Sequence, residues 1–266
     1  MLNIIRSLNY SARRDNVNWI TLISMLGIPA FVAYISKMID PNSMNKLTPS
    51  VYFASTTMAT VFIFCCFGIM ILASKLVASD AGDKTINYEL MAGHSRNRIF
   101  AARMVSGFMW GAGLVFIIMM IPVGVLNLIY GWGPETDKTD VLIRCVLCIF
   151  PILRLCAYNM MLASVARSTG KGIALGYASF MAVVITGSVM EEVFGKVVIY
   201  PTGFTNASYL LTTENSKYEV INGKEILIYD TAITGEIIWK TIAVSIIFIA
   251  IYLMITYINF KKTDRD

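Results

Sequence analysis

The chain has 266 residues, of which 56% are hydrophobic and only 15% are charged, and its mean hydropathy is +0.65. A water-soluble core of this size does not need so much apolar material, so the composition excludes a soluble globular protein and predicts a polytopic membrane protein. The net charge of +5 is small and unevenly distributed, which indicates membrane orientation rather than nucleic-acid binding.

An amphipathic helix is predicted at the N-terminus, within residues 1–17. Its apolar residues recur at helical spacing and share one face, which comprises Met1, Ile4, Ile5, Leu8 and Ala12. We expect this helix to lie in the cytoplasmic headgroup layer as an elbow before the first membrane span. An ordinary juxtamembrane tail is the alternative.

Six apolar runs are long enough to cross about 30 Å of hydrocarbon as helices of about 20 residues. They are predicted at 19–39, 51–77, 104–129, 141–165, 172–190 and 237–260. The predicted fold class is therefore all-α, with one transmembrane domain over residues 1–266. All five cysteines fall inside these runs and are interpreted as small buried apolar residues rather than disulfides or metal ligands.

The distribution of Lys and Arg predicts the orientation of the spans. With the N-terminus inside, the cytoplasmic segments hold thirteen Lys and Arg against six Asp and Glu, whereas the outer segments hold seven against eleven. The positive-inside rule then places both termini and the segment 79–103 in the cytoplasm.

The polar segment 79–103 separates the second and third predicted spans and contains a predicted short helix near residues 84–91. Asp80 and Asp83 are expected to cap the start of that helix, and Gly93 is expected to end it in the left-handed conformation. This segment is too structured to be a plain connector, so we expect something to dock there.

The apolar face of the short helix supports this interpretation. Ile86, Leu90 and Met91 fall on one side of a helix that is too short to be stable alone. The face is therefore expected to fill the groove of a partner protein. The alternative is an amphipathic helix that lies on lipid headgroups.

Small residues at the start of the third and fifth spans predict close helix packing. Helices in lipid approach each other through such residues, because no hydrophobic effect drives them together. The residues are Ser106, Gly107, Gly111, Gly113, Gly172 and Gly176. Packing within one subunit is expected, with packing between two subunits as the alternative.

Two arginines lie in the fourth span. Arg144 is one turn from its outer end and is expected to extend toward the headgroups. Arg154 is near the middle, and no Asp, Glu or His lies in any predicted span. Its expected partners are carbonyls freed by Pro151, Tyr158, water or an anionic group of a passing substrate. A structural role and a place on a translocation path are both open.

The outer segment 191–236 contains a predicted β-hairpin over residues 217–229. Two strand-like runs flank Asn222 and Gly223, the pair favoured in a two-residue type I′ turn. We interpret this segment as a small extracellular cap or gate.

Enzyme chemistry has no support in the sequence. The motifs HExxH, GxSxG and GxxxxGK[ST] are absent, and His94 is the single histidine. We therefore expect the chain to be no enzyme, to hold no cofactor or metal, and to obtain any energy from a partner.

The architecture and the segment 79–103 together resemble the permease subunit of a bacterial ABC exporter of the type 2 class. The segment has the form SDxxxxTIxxxLxxGxSRxxIxxAR, carried here by Ser79, Asp80, Thr85, Ile86, Leu90, Gly93, Ser95, Arg96, Ile99, Ala102 and Arg103. The resemblance covers nearly the whole chain.

The resemblance implies that the short helix is a coupling helix seated in a groove of a separate ATPase subunit, which binds ATP and Mg. The docking residues that it implies are Asp80, Asp83, Ile86, Tyr88, Glu89, Leu90, Met91, Arg96 and Arg98. It also implies two ATPase copies and a second permease, as a homodimer or a heterodimer, in a bacterial cell membrane.

Permeases similar to this one export amphipathic peptides such as bacteriocins and lantibiotics, sometimes for self-immunity, or they export drugs. The alternative is a non-transporting membrane sensor or scaffold that binds a cytoplasmic signalling partner. A channel is disfavoured, because no charged or carbonyl-rich filter motif is present.

Overall fold

The structure of the chain is a computed structural model, and it describes residues 2–39, 48–54, 56–83, 90–133, 136–194, 199–211, 216–221, 224–229 and 233–262. Its helices are α1 (Leu2–Arg14), α2 (Asn16–Ile39), α3 (Pro49–Ala54), α4 (Thr56–Asp83), α5 (Arg96–Phe108), α6 (Leu114–Tyr130), α7 (Lys138–Leu147), α8 (Ile149–Ala166), α9 (Thr169–Phe194), α10 (Gly203–Leu211) and α11 (Gly235–Lys262). A π-helical segment, Met109–Gly113, joins α5 to α6.

Four helices among the described residues are long and apolar enough to cross a membrane. They are Arg96–Tyr130, Lys138–Ala166, Thr169–Gly187 and Gly235–Lys261, and they correspond to the last four predicted spans. The first predicted span lies on α2, and the second covers α3 and α4, where a shorter apolar helix, Val61–Val77, is found. The predicted helical architecture is thus confirmed for the described residues, whereas the number of six membrane crossings stays a prediction.

Helix α8 is the centre of the bundle. It packs against α4, α9, α10 and α11, and it also contacts α5. Its start coincides with an interruption of the fourth span at Cys148, three residues before Pro151. Proline has no N–H, so the carbonyl of Leu147 lacks its usual helical partner there, which accounts for the division between α7 and α8.

The glycines of the third and fifth spans pack within the chain, as expected. A Cβ at Gly107 would lie 2.6 Å from the Met160 side chain, and one at Gly176 would lie 2.6 Å from Asn159 Oδ1. A Cβ at Gly172 would lie 2.9 Å from the backbone of Ala163. Because all of these neighbours belong to α8, the absence of side chains on α5 and α9 lets both helices approach the central helix closely.

The helix faces that turn away from α8 remain apolar. On α11 the exposed residues include Trp239, Ile246, Ile247, Ile251 and Met254. Such a surface is unsuited to water and suits the hydrocarbon of a bilayer.

Helix α1 is fixed to the bundle by polar contacts. Trp110 in the π-helical segment donates its indole N–H to Asn9 Oδ1 at 3.0 Å. At the other end of α1, Asn18 and Trp19 donate to the carbonyls of Ala12 and Arg13 at 2.9 and 2.6 Å. These side chains satisfy C-terminal carbonyls of α1 and set the angle at which α2 leaves it. That α1 lies in a headgroup layer stays a prediction.

An ion pair between Asp15 and Lys75 connects the α1–α2 junction to α4. Burial alone would raise the pKa of Asp15, but the hydrogen bonds from Lys75 and the Val17 N–H, together with the Lys75 charge, hold that pKa below its ordinary value. A carboxylate with a lowered pKa stabilises the fold above the pKa of the unfolded chain, about 3.9, and this stabilisation is lost as the pH falls through the folded-state pKa.

Loss of the Asp15–Lys75 ion pair should lower the stability of the fold by a small amount that depends on pH. The Asp15→Asn variant should unfold at a lower temperature than the wild type at pH 7, by an amount equivalent to at most about 1 kcal/mol, because the pair is partly exposed. The difference should shrink as the pH falls from about 3.9, the pKa of the unfolded chain, through the lower folded-state pKa of Asp15. Thermal unfolding at pH 7 and pH 3 tests this, and an equal difference at both values would contradict it.

Two strands follow α10. Strand β1 (Ser216–Ile221) pairs antiparallel with β2 (Lys224–Tyr229), with Ser216 opposite Tyr229 and Ile221 opposite Lys224. The turn residues 222–223 lie outside the described residues, so the predicted type I′ turn stays a prediction.

All five cysteines are buried and free of disulfides. In the part of the chain that the structure describes, no cluster of His, Cys, Asp and Glu has the arrangement of a metal site. The burial of all five side chains agrees with their interpretation as small core residues.

Candidate functional site

The docking region begins differently from the prediction. Helix α4 continues through Asp83, six residues beyond the predicted end of the second span. Asp80 therefore lies inside the last turns of α4 and cannot cap a new helix, which corrects that part of the prediction. Ile86, Tyr88 and Glu89 fall in the segment 84–89, outside the described residues. Most of the predicted coupling helix thus stays a prediction.

The structure describes the end of the docking region. Leu90 and Met91, which the sequence placed on one helix face, have different surroundings there. Leu90 is half-buried and packs against the protein, whereas Met91 is 83% exposed. Gly93 then adopts a positive φ of 81°, and its N–H donates to the Leu90 carbonyl at 3.0 Å. The predicted left-handed ending at Gly93 is confirmed.

Two exposed arginines follow the turn. Ser95 caps the backbone at the start of α5, where its carbonyl accepts from the N–H groups of Arg98 and Ile99. Arg96 and Arg98 occupy the first turn of α5, and no acidic residue accompanies them there. Met91, Arg96 and Arg98 thus face away from the bundle.

A small apolar cluster lies directly behind this surface, and we call it the Ile99 cluster. Its buried members are Ile4 of α1 with Ile99 and Ala102 of α5. The residues packed around them are Ile5, Leu8, Leu90 and Phe260. The cluster therefore joins the end of the docking region to α1, α5 and the last turn of α11.

Arg154 lies in the bundle interior, where only 1% of its surface is exposed. Its Nη1 donates to the Tyr200 carbonyl at 2.7 Å, and its Nη2 donates to the Pro201 carbonyl. The guanidinium also lies over the ring of Phe248, 4.0 Å from the centroid. The carbonyls that hold Arg154 thus come from the segment before α10, and not from the vicinity of Pro151. A role on a translocation path stays a prediction.

Arg144 is also buried, which corrects the expectation that it extends toward the headgroups. It is 5% exposed, and its Nη1 lies 3.4 and 3.3 Å from the carbonyls of Tyr209 and Leu210. These carbonyls are at the C-terminal end of α10, where a cation is favourable. Arg154 and Arg144 therefore hold the two ends of α10 against the bundle.

Helix α10 itself was not predicted, although the sequence contains two signals for it. Thr202 accepts a hydrogen bond from the Thr205 N–H at 3.0 Å, as a helix N-cap does. The buried residues then follow helical spacing, at Gly203, Asn206, Ala207, Leu210 and Leu211.

A cavity of about 130 Å³ lies beside Arg154. One part of its wall is polar and includes Arg154, Tyr158, Asn159 and Tyr252. The remainder is mainly apolar, with Met70, Leu155, Phe180, Val183 and Phe204. The cavity thus combines a buried cation with an apolar chamber.

Comparison with known proteins adds one positive result. The profile of the family described as "ABC-2 family transporter protein" matches residues 30–265. No curated protein sequence matches the chain significantly. The family match includes the docking region, both buried arginines and the cavity, and it begins within α2.

Proposed function

The chain belongs to the ABC-2 family of transporter proteins, and from this premise we propose how it serves as the permease subunit of an ABC exporter. The family implies a multi-pass membrane protein with an ABC ATPase as its partner. We propose six crossings, with both termini in the cytoplasm of a bacterial cell. Two ATPase copies and a second permease, as a homodimer or a heterodimer, would complete the assembly.

In this proposal ATP and Mg bind only to the ATPase, and the permease converts ATPase closure into helix movement. The Ile99 cluster supports the idea, because it places Leu90 in contact with a core that also includes α1, α5 and α11. A push on the docking region would be transmitted to three helices together, as in a rigid-body switch.

The observation that carries the docking proposal is the outward surface formed by Met91, Arg96 and Arg98. A cation in the first turn of a helix opposes the helix dipole, so helix stability does not explain the exposed Arg98. An ATPase groove with an apolar centre and an acidic rim would complement an exposed Met flanked by cations.

The proposed cargo is an amphipathic molecule, a bacteriocin or lantibiotic peptide or a drug. Its support is the cavity, which provides an apolar wall beside the buried charge of Arg154. The lantibiotic assignment rests on similarity to permeases of this kind, and not on a residue of this chain.

The docking proposal predicts that Met91→Asp abolishes ATPase binding. The full chain, solubilised from host membranes, is used as bait, and co-purified proteins that contain an ATP-binding phosphate loop are identified by mass spectrometry. An acid in the apolar centre of an interface should reduce the recovered ATPase at least about tenfold. Leu90→Asp is less informative, because Leu90 also packs against the Ile99 cluster.

Met91→Leu is the matched control and should retain binding, because it preserves an apolar group of similar size. Both variants should unfold at the wild-type temperature, since the Met91 side chain is exposed. If Met91→Asp retains the ATPase, the docking surface lies elsewhere. If no ATPase binds even the wild type, the sensor or scaffold alternative replaces the ATPase-coupled proposal.

A further inference from the structure

We propose that the cavity beside Arg154 is a binding site for the oxyanion of an acidic amphiphile, a carboxylate or phosphate carried on an apolar chain. Binding of the anion in the cavity does not depend on the ATPase. The proposal rests on the permease function only where it interprets the bound molecule as cargo. It rests on the charge of Arg154, the polarity of the cavity wall and the cavity size.

The charge of Arg154 is not matched by an acid among the described residues. The ion pairs found in that part of the chain are Asp15–Lys75 and Glu236–Lys240, and neither includes it. Its described contacts are two backbone carbonyls and the ring of Phe248, and the side chain of Tyr252 lines the same cavity. These groups are uncharged, so the guanidinium retains a full positive charge in the interior of the bundle. An anion in the adjacent cavity would compensate it.

Two buried polar atoms on this wall also lack hydrogen-bond partners among the described residues. They are Nε of Arg154 and Oδ1 of Asn159. The Nε–H is a donor that an oxyanion can accept, and the amide oxygen can accept from an N–H or O–H carried by the same ligand. Buried groups of this kind are normally satisfied, so their presence beside a cavity points to a ligand.

The shape of the cavity limits the part of the ligand that it holds. Its volume of about 130 Å³ is comparable to that of a dry protein cavity of about 150 Å³ that admits a benzene-sized molecule. The site therefore accommodates one acidic group and a few carbons, with the carbons against Phe180, Val183 and Phe204. A longer chain would have to extend beyond the cavity.

Val183 allows the cavity to be filled without replacing Arg154. It lies on α9 in the cavity wall, whereas its neighbour Val184 is exposed on the same helix. Val183→Phe should occupy the chamber and leave both carbonyl contacts of Arg154 in place. Val184→Phe is the matched control, because it introduces the same side chain outside the cavity.

The test is thermal unfolding of the purified full chain in detergent, with octanoate and its neutral counterpart octanol as probes. At ten times its dissociation constant, octanoate should raise the unfolding midpoint of the wild type and of Val184→Phe by about 3–6 °C. It should not raise the midpoint of Val183→Phe, and octanol should have little effect on any of the three proteins. Equal shifts with octanol, or a full octanoate shift in Val183→Phe, would overturn the proposal.

A second arm identifies the source of the anion. Dioleoyl phosphatidylglycerol is added in competition with octanoate, with dioleoyl phosphatidylcholine as the control lipid. Competition by the anionic lipid alone assigns the site to a membrane phospholipid, and absence of competition assigns it to a smaller acid, such as a cargo. Neither arm contains an ATPase, so failure of the docking experiment and failure of this one are distinguishable.

Discussion

Replacing Arg154 with methionine should produce the largest loss of stability of any single substitution considered for this chain. Methionine fills a similar apolar volume but leaves the carbonyls of Tyr200 and Pro201 without their donor. Both hydrogen bonds are part-buried, and a hydrogen bond from a charged donor contributes about 1.5–3 kcal/mol, whereas removal of a buried charge offsets part of that contribution. We expect a net loss of about 2–4 kcal/mol, measured as a lower unfolding midpoint of the purified protein.

The conservative variant Arg154→Lys provides the control. Lysine retains the charge, but its single ammonium group does not reproduce a planar fork that reaches two carbonyls and lies over an aromatic ring. We therefore expect it to recover only part of the lost stability. A lysine variant as stable as the wild type would show that the charge alone matters, and that the attachment of α10 does not depend on the guanidinium geometry.

Gly172→Ala should produce the second large effect. A Cβ at this position would lie 2.9 Å from Ala163 Cα and 3.1 Å from Ala163 Cβ, so it can fit only if α8 and α9 separate. Overpacking of this kind costs about 1–3 kcal/mol. The loss should appear as a lower unfolding midpoint in detergent.

Gly170→Ala, two residues earlier on α9, is the matched control. A Cβ there would meet no atom within 4 Å. Because alanine favours helix formation over glycine by about 0.5–1 kcal/mol, this variant should be as stable as the wild type or slightly more so. If the two variants behave alike, the close contact between α8 and α9 does not constrain the bundle.

The sequence predicted the broad architecture because hydrocarbon thickness and helical periodicity are local constraints. The helical segments at the last four predicted spans and the left-handed Gly93 follow from residue types within a few positions of each other. The small residues of the third and fifth spans likewise predicted close packing. They could not identify α8 as the shared neighbour, because one helix face does not specify which other helix covers it.

The candidate site was less predictable for the same reason. Arg154 stood out as a charge within an apolar run, but its carbonyl partners lie 46 and 47 residues later in the chain. Leu90 and Met91 differ in exposure because adjacent helical residues point about 100° apart, and the Ile99 cluster covers only one of them. The predicted start of the docking region was wrong, because α4 continues beyond its apolar part into polar residues as far as Asp83.

The π-helical segment Met109–Gly113 has a consequence for length variation in related chains. It contains one residue more than a regular α-helix needs, and each residue turns a helix by about 100°. A chain that loses one residue there would regain regular helical geometry, and the buried faces of α5 and α6 would keep their mutual orientation. The same deletion elsewhere in α5 or α6 would rotate the rest of that helix by about 100°, and its buried face would turn away from the core. We therefore expect a deletion of one residue between 108 and 114 to preserve the fold, and the same deletion a turn away to disrupt it.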